Sequence, residues 1–228
     1  PFVDIIQHLR AQCGTLGFPR VGPSYAELTI PRRQIGTGAD HERADLLLAE
    51  WFAGGEPSSG ADEIWDRLGR GEDVGTISLR QWTTSAELHA LLRSELANAI
   101  PEMSDDRDAQ GFQQSYGGKL VGEHVYFNVG AALSAEGWQV LSPVRADGGG
   151  VNELNRMLQR SYRDQTLDLA RNGMGWNAKV PRPAGPQEIV YGDKVINIRN
   201  HRRDGVYPAE DAEAYLANGE IGIAVGQF

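Results

Sequence analysis

The chain predicts an α/β fold with a small β module at its C-terminal end, on three observations. Strand-like runs followed by helix-like runs recur: Tyr25 to Ile30 precedes Asp40 to Phe52, and Thr76 to Trp82 precedes the Leu88, Leu91, Leu92, Leu96 series. Pro181, Pro183 and Pro186 crowd the segment 180–187, which reads as a stiff connector. Beyond it, Gly192 to Asn200 and Asn218 to Val225 read as two apolar strands separated by a polar insert.

In chain order, Phe2, Ile5, Ile6 and Leu9 stand at helical spacing, and Gly14 with Gly17 ends that helix. The strand Tyr25 to Ile30 leaves abruptly through Pro31, Arg32, Arg33 and Gln34, the kind of strand end at which an α/β domain presents side chains to a ligand. Ala44, Leu47, Leu48 and Trp51 mark a helix face capped by Asp40 and stopped by Gly54 and Gly55. A shorter helix covers Ala61 to Leu68. Ser85 then heads a capped helix. Met103 to Gly118 is polar and reads as either an ordered insertion or a loop, and Asn128 to Ala135 as a helix. Trp138 to Val144 reads as a compact buried strand, followed by the loop Gly148 to Gly150 and one helix from Asn152 to Leu169 with Leu154, Met157, Leu158 and Tyr162 inward. Asn218 and Gly219 form a type I′ turn pair.

With 228 residues, 40% of them hydrophobic, the chain can bury a substantial core. The net charge of −9 argues against a histone-like nucleic-acid coat, so any nucleic-acid contact is local. A single cysteine, Cys13, cannot form an internal disulfide, and no apolar run reaches the roughly 20 residues that span a bilayer. These features predict a reduced, soluble, cytoplasmic protein with no membrane partner. The start, Pro1-Phe2-Val3-Asp4, lacks an initiator Met and the end, Ile221 to Phe228, stops in an apolar strand, so the chain reads as a piece of a longer polypeptide.

Several chemistries are disfavoured. The histidines at 8, 41, 89, 124 and 201 are scattered, without HExxH or Cys-His spacing, and no metal site is predicted. Ser142 has no GxSxG frame. Asp105, Asp106 and Asp108 look like acids at a helix start. Neither GxxxxGK[ST] nor GxGxxG occurs.

Three motifs in order carry a resemblance. Leu28 to Gln34 is similar to motif IV of RecD-like superfamily 1 DNA helicases, a leucine followed by Arg-Gln. Val140-Leu141-Ser142-Pro143-Val144-Arg145, a glycine loop, then Asn152 to Asn155 and Leu158-Gln159 resembles the block in which a Thr/Ser-Pro strand end precedes a Leu-Asn helix. Gly192 to Asn200 with Asn218 to Gly222 resembles the start of the family's SH3-like insertion, within what is also a UvrD-like helicase C-terminal region.

The resemblance implies a RecA-like parallel-sheet domain of P-loop NTPase-like fold, the second motor domain, over residues 1–180, with 1–20 a candidate tail of the first motor domain. A connector over 181–190 and a partial SH3-like β module over 191–228 follow. It implies a parent that hydrolyses ATP with Mg and translocates on single-stranded DNA, 5′ to 3′, with DNA repair as its setting. Arg33 is the implied catalytic contact to ATP phosphate, with Gln34 beside it, its permanently charged fork suited to phosphate. A solvated strand-end pair is the alternative for Arg32 and Arg33.

For DNA, the resemblance points to Ser142, Pro143, Arg145, Asn152 and Asn155 at the strand end and helix start, where a hydroxyl and free N–H groups can seat a phosphate. A plain β-turn-α connection is the competing reading. Arg156, Arg160 and Arg163 either extend a phosphate track or share a salt-bridged face with Glu153, Asp164 and Asp168. Lys194, Arg199 and Arg202, with His201, Arg203 and Tyr207, form either a DNA-contacting cluster or a solvated hairpin.

The Walker lysine and acids lie in the missing first motor domain, which is the expected intramolecular partner, and the chain stops before motifs V and VI. No ATP turnover and no bound cofactor are therefore expected of these residues alone. A UvrD-like helicase of opposite polarity, a helicase fused to a nuclease and a non-catalytic protein-interaction module are the alternatives.

Overall fold

The computed structural model describes residues 2–13, 21–22, 25–26, 43–52, 56–128, 130–173, 182–203 and 214–225. Arg33, Gln34, the Asp40 cap, Gly54, Gly55, Tyr207 and most of the strand expected to Ile30 lie outside them. The chain divides into two compact units, Pro1–Arg80 and Gln81–Phe228.

In the first unit, helix α1 (Phe2–Cys13) is followed by a two-residue antiparallel pair, β1 (Val21–Gly22) with β2 (Tyr25–Ala26). Helix α2 (Ala44–Glu50) packs on α3 (Ser59–Gly69). Ser58 caps α3 by accepting from the Ala61 N–H. Ile64, Leu68 and Val74 are buried against Ala44, Leu47, Leu48 and Ile77, a core built from the helix faces that the leucine spacing predicts. The expected strand over Thr76 to Trp82 is reduced to a single bridge between Val74 and Ile77. Gly75 turns the chain between them at φ +61°, and Leu79 and Trp82 stay exposed, so the alternation finds no surface to bury it.

The second unit opens with α4 (Ser85–Ala99). Its cap is Thr84, one residue before the expected Ser85: Thr84 Oγ1 accepts from the Glu87 N–H and the Glu87 carboxylate accepts from the Thr84 N–H. The polar stretch 103–118 is ordered and contains helix α5 (Ala109–Gln114), capped by the Asp108 carboxylate through the Gly111 N–H. Its three large apolar residues, Met103, Phe112 and Tyr116, join Leu96, Ile100, Phe127 and Tyr162 in the main core. Phe112 stacks on Tyr162 at 4.1 Å between ring centres and meets Tyr116 edge-on at 5.6 Å.

A hairpin follows, β3 (Lys119–Val121) with β4 (His124–Tyr126), and the helix expected over Asn128 to Ala135 is a short 3₁₀ turn, Ala131–Ser134. The expected 152–169 helix is two, α6 (Val151–Tyr162) and α7 (Asp164–Asn172), broken at Arg163. The connector closes into a tight turn, with Ala184 bridged to Ile189.

Strand β5 (Lys194–Ile196) pairs with β8 (Ile221–Ile223), and β6 (His201–Arg202) with β7 (Tyr215–Leu216), so the two pairs nest as one long irregular ribbon. Asn218 and Gly219 do turn the chain, with the Glu220 N–H on the Ala217 carbonyl at 3.4 Å, but within that ribbon, and not as type I′, since only Gly219 takes a positive φ. Asn197 holds the interruption: its carbonyl accepts from the Gly219 N–H and its side-chain amide donates to the Ala217 carbonyl, both at 2.7 Å. The positive φ of +96° falls on Gly219, the third residue of the 217–220 turn, where glycine is favoured. Among the described residues every strand pair is antiparallel and two-stranded, with no parallel sheet and no closed barrel.

Candidate functional site

The concave feature of the second unit is a cleft of about 860 Å³ between α6 and β5. Aromatic residues from the core, Phe112, Tyr116 and Trp138, reach its floor, and Val140, Leu158 and Ile196 line it further. Amphipathicity places the residues around it. Leu154, Met157 and Tyr162 turn inward on α6, which leaves Asn155, Arg156 and Arg160 exposed, all three lining the cleft.

A second, shallower recess of about 500 Å³ opens at the head of α6, lined by Arg145, Asn152 and Arg156 with Asp147 and Glu153. Arg156 thus belongs to both. Among the described residues the side chains of Arg145, Arg156 and Arg160 make no hydrogen bond and no ion pair, although Arg156 and Arg160 act on Glu188 through their field.

The Ser142 strand end is closed on itself. Its hydroxyl donates to the Gly149 carbonyl at 2.7 Å and accepts from the Val144 N–H at 3.3 Å. The first α6 donors are also engaged: Val151 N–H bonds the Val144 carbonyl and Asn152 N–H the Arg145 carbonyl. Glu153 stands in the first helical turn, opposing an anion there. Two of the three glycines have a packing cause. A Cβ on Gly148 would run into the Ser85 hydroxyl, and one on Gly150 into the Ala146 carbonyl.

Of the expected DNA residues, the structure gathers Arg145, Asn152 and Asn155 around α6 and leaves Pro143 exposed near them. Arg199 and Arg202 are exposed on the ribbon, outside both recesses. Lys194 is committed elsewhere. Its ammonium donates to the Trp138 carbonyl at 2.5 Å and sits 4.6 Å from the centre of the Trp138 ring. Burial pulls the Lys194 ammonium below its usual range, and the Glu136 carboxylate only partly offsets it.

Arg163 leaves the surface altogether. At the break between α6 and α7 its Nε donates to Asp193 Oδ1 at 3.2 Å, while its two terminal nitrogens donate to the Gln113 side-chain carbonyl and the Tyr191 backbone carbonyl. Asp193 Oδ2 accepts from the Val190 N–H and the Gln159 amide. Gly192, at φ +84°, lets the turn pass beside Phe127 and Arg163, where a Cβ would collide with both.

Sequence reasoning missed this assembly. The available signal was the Gly192-Asp193 pair, a glycine turn carrying one acid. Arg171 is likewise spent on Glu188, whose carboxyl is held below its usual range by that hydrogen bond, with the positive field of Arg156 and Arg160 adding to it. Among the described residues, the guanidiniums at these recesses that make no hydrogen bond or ion pair are therefore Arg145, Arg156 and Arg160.

Among the described residues no group of His, Cys, Asp or Glu could hold a metal ion, and no helix is long and apolar enough to cross a membrane. Comparison with protein-family models, curated proteins and solved structures finds no match to this chain.

Proposed function

We propose that this chain is part of the second motor domain, with part of its SH3-like insertion, of a RecD-like superfamily 1 DNA helicase acting in the cytoplasm. The intact parent hydrolyses ATP with Mg and moves along single-stranded DNA, 5′ to 3′. Arg33 and Gln34 contact the ATP phosphates across the cleft shared with the first motor domain.

The observation that carries the DNA reading is the recess at the head of α6. Arg145 and Arg156, two guanidiniums without a partner among the described residues, line it with Asn152, directly after the Ser142-Pro143 strand end of the helicase-like block. A phosphate fits such a pair in bidentate fashion, and Asn152 supplies a neutral donor. The exposed Arg199 and Arg202 continue the path on the ribbon. Asp147 and Glu153 weaken the local field, so affinity is modest and salt-sensitive.

The test is fluorescence anisotropy of a labelled oligothymidylate across a salt series. Weak binding whose logarithm falls linearly with log salt is the expected result, and lost affinity in Arg145→Ala and Arg156→Ala assigns it to the recess. Binding that ignores salt, or its complete absence at low salt, rejects the DNA reading in favour of a protein-interaction module.

A further inference from the structure

Residues 138–144 have the composition and alternation of a strand, with Trp138, Val140 and Ser142 half-buried and Gln139, Leu141 and Pro143 exposed. No strand among the described residues pairs with them. Among the described residues the backbone N–H and C=O groups of Gln139, Val140 and Leu141 have no hydrogen-bond partner. Leu141 is 84% exposed.

Across the same cleft lies β5, which among the described residues is paired on one edge only, by β8, and which supplies Lys194, Val195 and Ile196 to the lining. Asp193 to Ala224 and Asn197 to Glu220 carry ladder bonds, so the alternating pattern turns the N–H and C=O of Lys194 and Ile196 toward the unpaired edge. Ile198, just beyond β5, is 73% exposed and also lines the cleft.

An apolar cleft bordered by an extended segment without partners and by a singly paired strand meets both requirements of strand addition: open backbone donors and acceptors, and apolar seats at every second position. The ion-pair inventory sets the polarity of the occupant. Arg163 and Arg171 are neutralised by Asp193 and Glu188, whereas Arg156 and Arg160 on the rim make no ion pair among the described residues and lie only in the outer field of Glu188.

We propose that the cleft receives an extended polypeptide segment, apolar at alternate positions and carrying a carboxylate opposite Arg160, which adds as a β-strand to the 139–141 edge. This docking does not depend on the DNA reading, because it uses the backbone of 139–141 and Arg160, and the DNA recess uses Arg145, Asn152 and Arg156.

The test pans a displayed library of random twelve-residue peptides against the whole chain and against Leu141→Pro. That substitution removes one open N–H at a position whose N–H has no partner and whose side chain faces solvent. Enriched peptides should alternate apolar and polar residues with at least one Asp or Glu, bind Leu141→Pro at least tenfold more weakly, and slow amide exchange at 139–141.

A second measurement does not depend on the variant's folding: N-methylation of alternate backbone amides in the best peptide should abolish its binding to the unaltered chain. Retained binding after N-methylation, helical spacing in the enriched peptides or the absence of any enriched pattern overturns the proposal. Dimerisation of the chain itself that Leu141→Pro dissolves also overturns it, by giving the cleft to a second copy.

Discussion

The Arg163 guanidinium and the Asp193 carboxylate meet at 3.2 Å with 4% and 14% of their side-chain surface exposed, tying the break between two helices to the turn that launches the C-terminal ribbon. Every polar atom at the joint has a partner: Gln113 and Tyr191 take the other guanidinium nitrogens, and Val190 and Gln159 donate to the carboxylate. The pair is favourable only because that shell is complete.

Removing one partner strands the other in a dry site. Arg163→Ala or Asp193→Ala should each cost about 3–5 kcal/mol, read from urea unfolding midpoints. Replacing both together, Arg163→Met with Asp193→Leu, should cost less than the sum of the single changes, the non-additivity expected of contacting groups.

The aromatic column gives a truncation of comparable size. Phe112 is buried and touches Tyr162, Tyr116 and Trp138, so Phe112→Ala should destabilise by about 3–5 kcal/mol in the same denaturation assay. Gly111→Ala should also destabilise, since its Cβ would press on the Glu102 carbonyl.

Acid and alkali should act through different residues. Burial pushes the Asp108 carboxyl up, but the hydrogen bonds it accepts from Gly111 and Ser104 outweigh that and hold it below the usual range. A folded pKa below the unfolded one gives stability that is present above about pH 4 and is lost as pH falls through the folded value, so Asp108→Ala should flatten the acid limb of a stability-pH curve.

The net shift of the Tyr162 hydroxyl is the opposite one, because burial dominates and pushes it up to about 12. Its contribution is intact below about pH 10 and is lost between there and the folded value, so Tyr162→Phe should lessen the alkaline loss. The same substitution removes the hydrogen bond to the Asp106 carbonyl, which costs about 1 kcal/mol at neutral pH.

Lys194 separates a DNA contact from a structural one. Because its ammonium is held by Trp138, Lys194→Met should leave oligothymidylate affinity unchanged and lower stability. Arg145→Ala, Arg156→Ala and Arg199→Ala should instead weaken DNA binding and each reduce the slope of log affinity against log salt by about 1.

Much of the helical content is legible residue by residue. The leucines of α4 and the Thr84 to Glu87 box announce a helix, and Leu154, Met157 and Tyr162 announce the inward face of α6. The 103–118 segment resists reading because only Met103, Phe112 and Tyr116 in it carry the core, too sparse for a periodic signal. Trp138 to Val144 alternates like a strand, yet the buried strand expected there does not form and Leu141 and Val144 are exposed, because alternation describes only side-chain faces, and ladder bonds require a neighbour the pattern does not specify.

The candidate site divides the same way. Arg145, Asn152 and Asn155 are placed near one another because sequence adjacency at a loop-helix junction survives folding. Arg163 reads as one more arginine on a mixed-charge helix face, and only the helix break turns it into the buried joint. Its partners Gln113 and Asp193, 50 and 30 residues away, come together through tertiary packing that local spacing does not encode.

Trp138 bonds Ser115 through its indole nitrogen, leans on Phe112 and lies under the Lys194 ammonium. One indole therefore touches both the aromatic core and the ribbon strand that leaves it. Replacing the other four tryptophans, Trp51, Trp65, Trp82 and Trp176, with phenylalanine would turn the chain into its own optical gauge. Emission from that single ring would report detachment of the ribbon as a change in quenching by the nearby cation, distinct from the red shift that follows loss of the core.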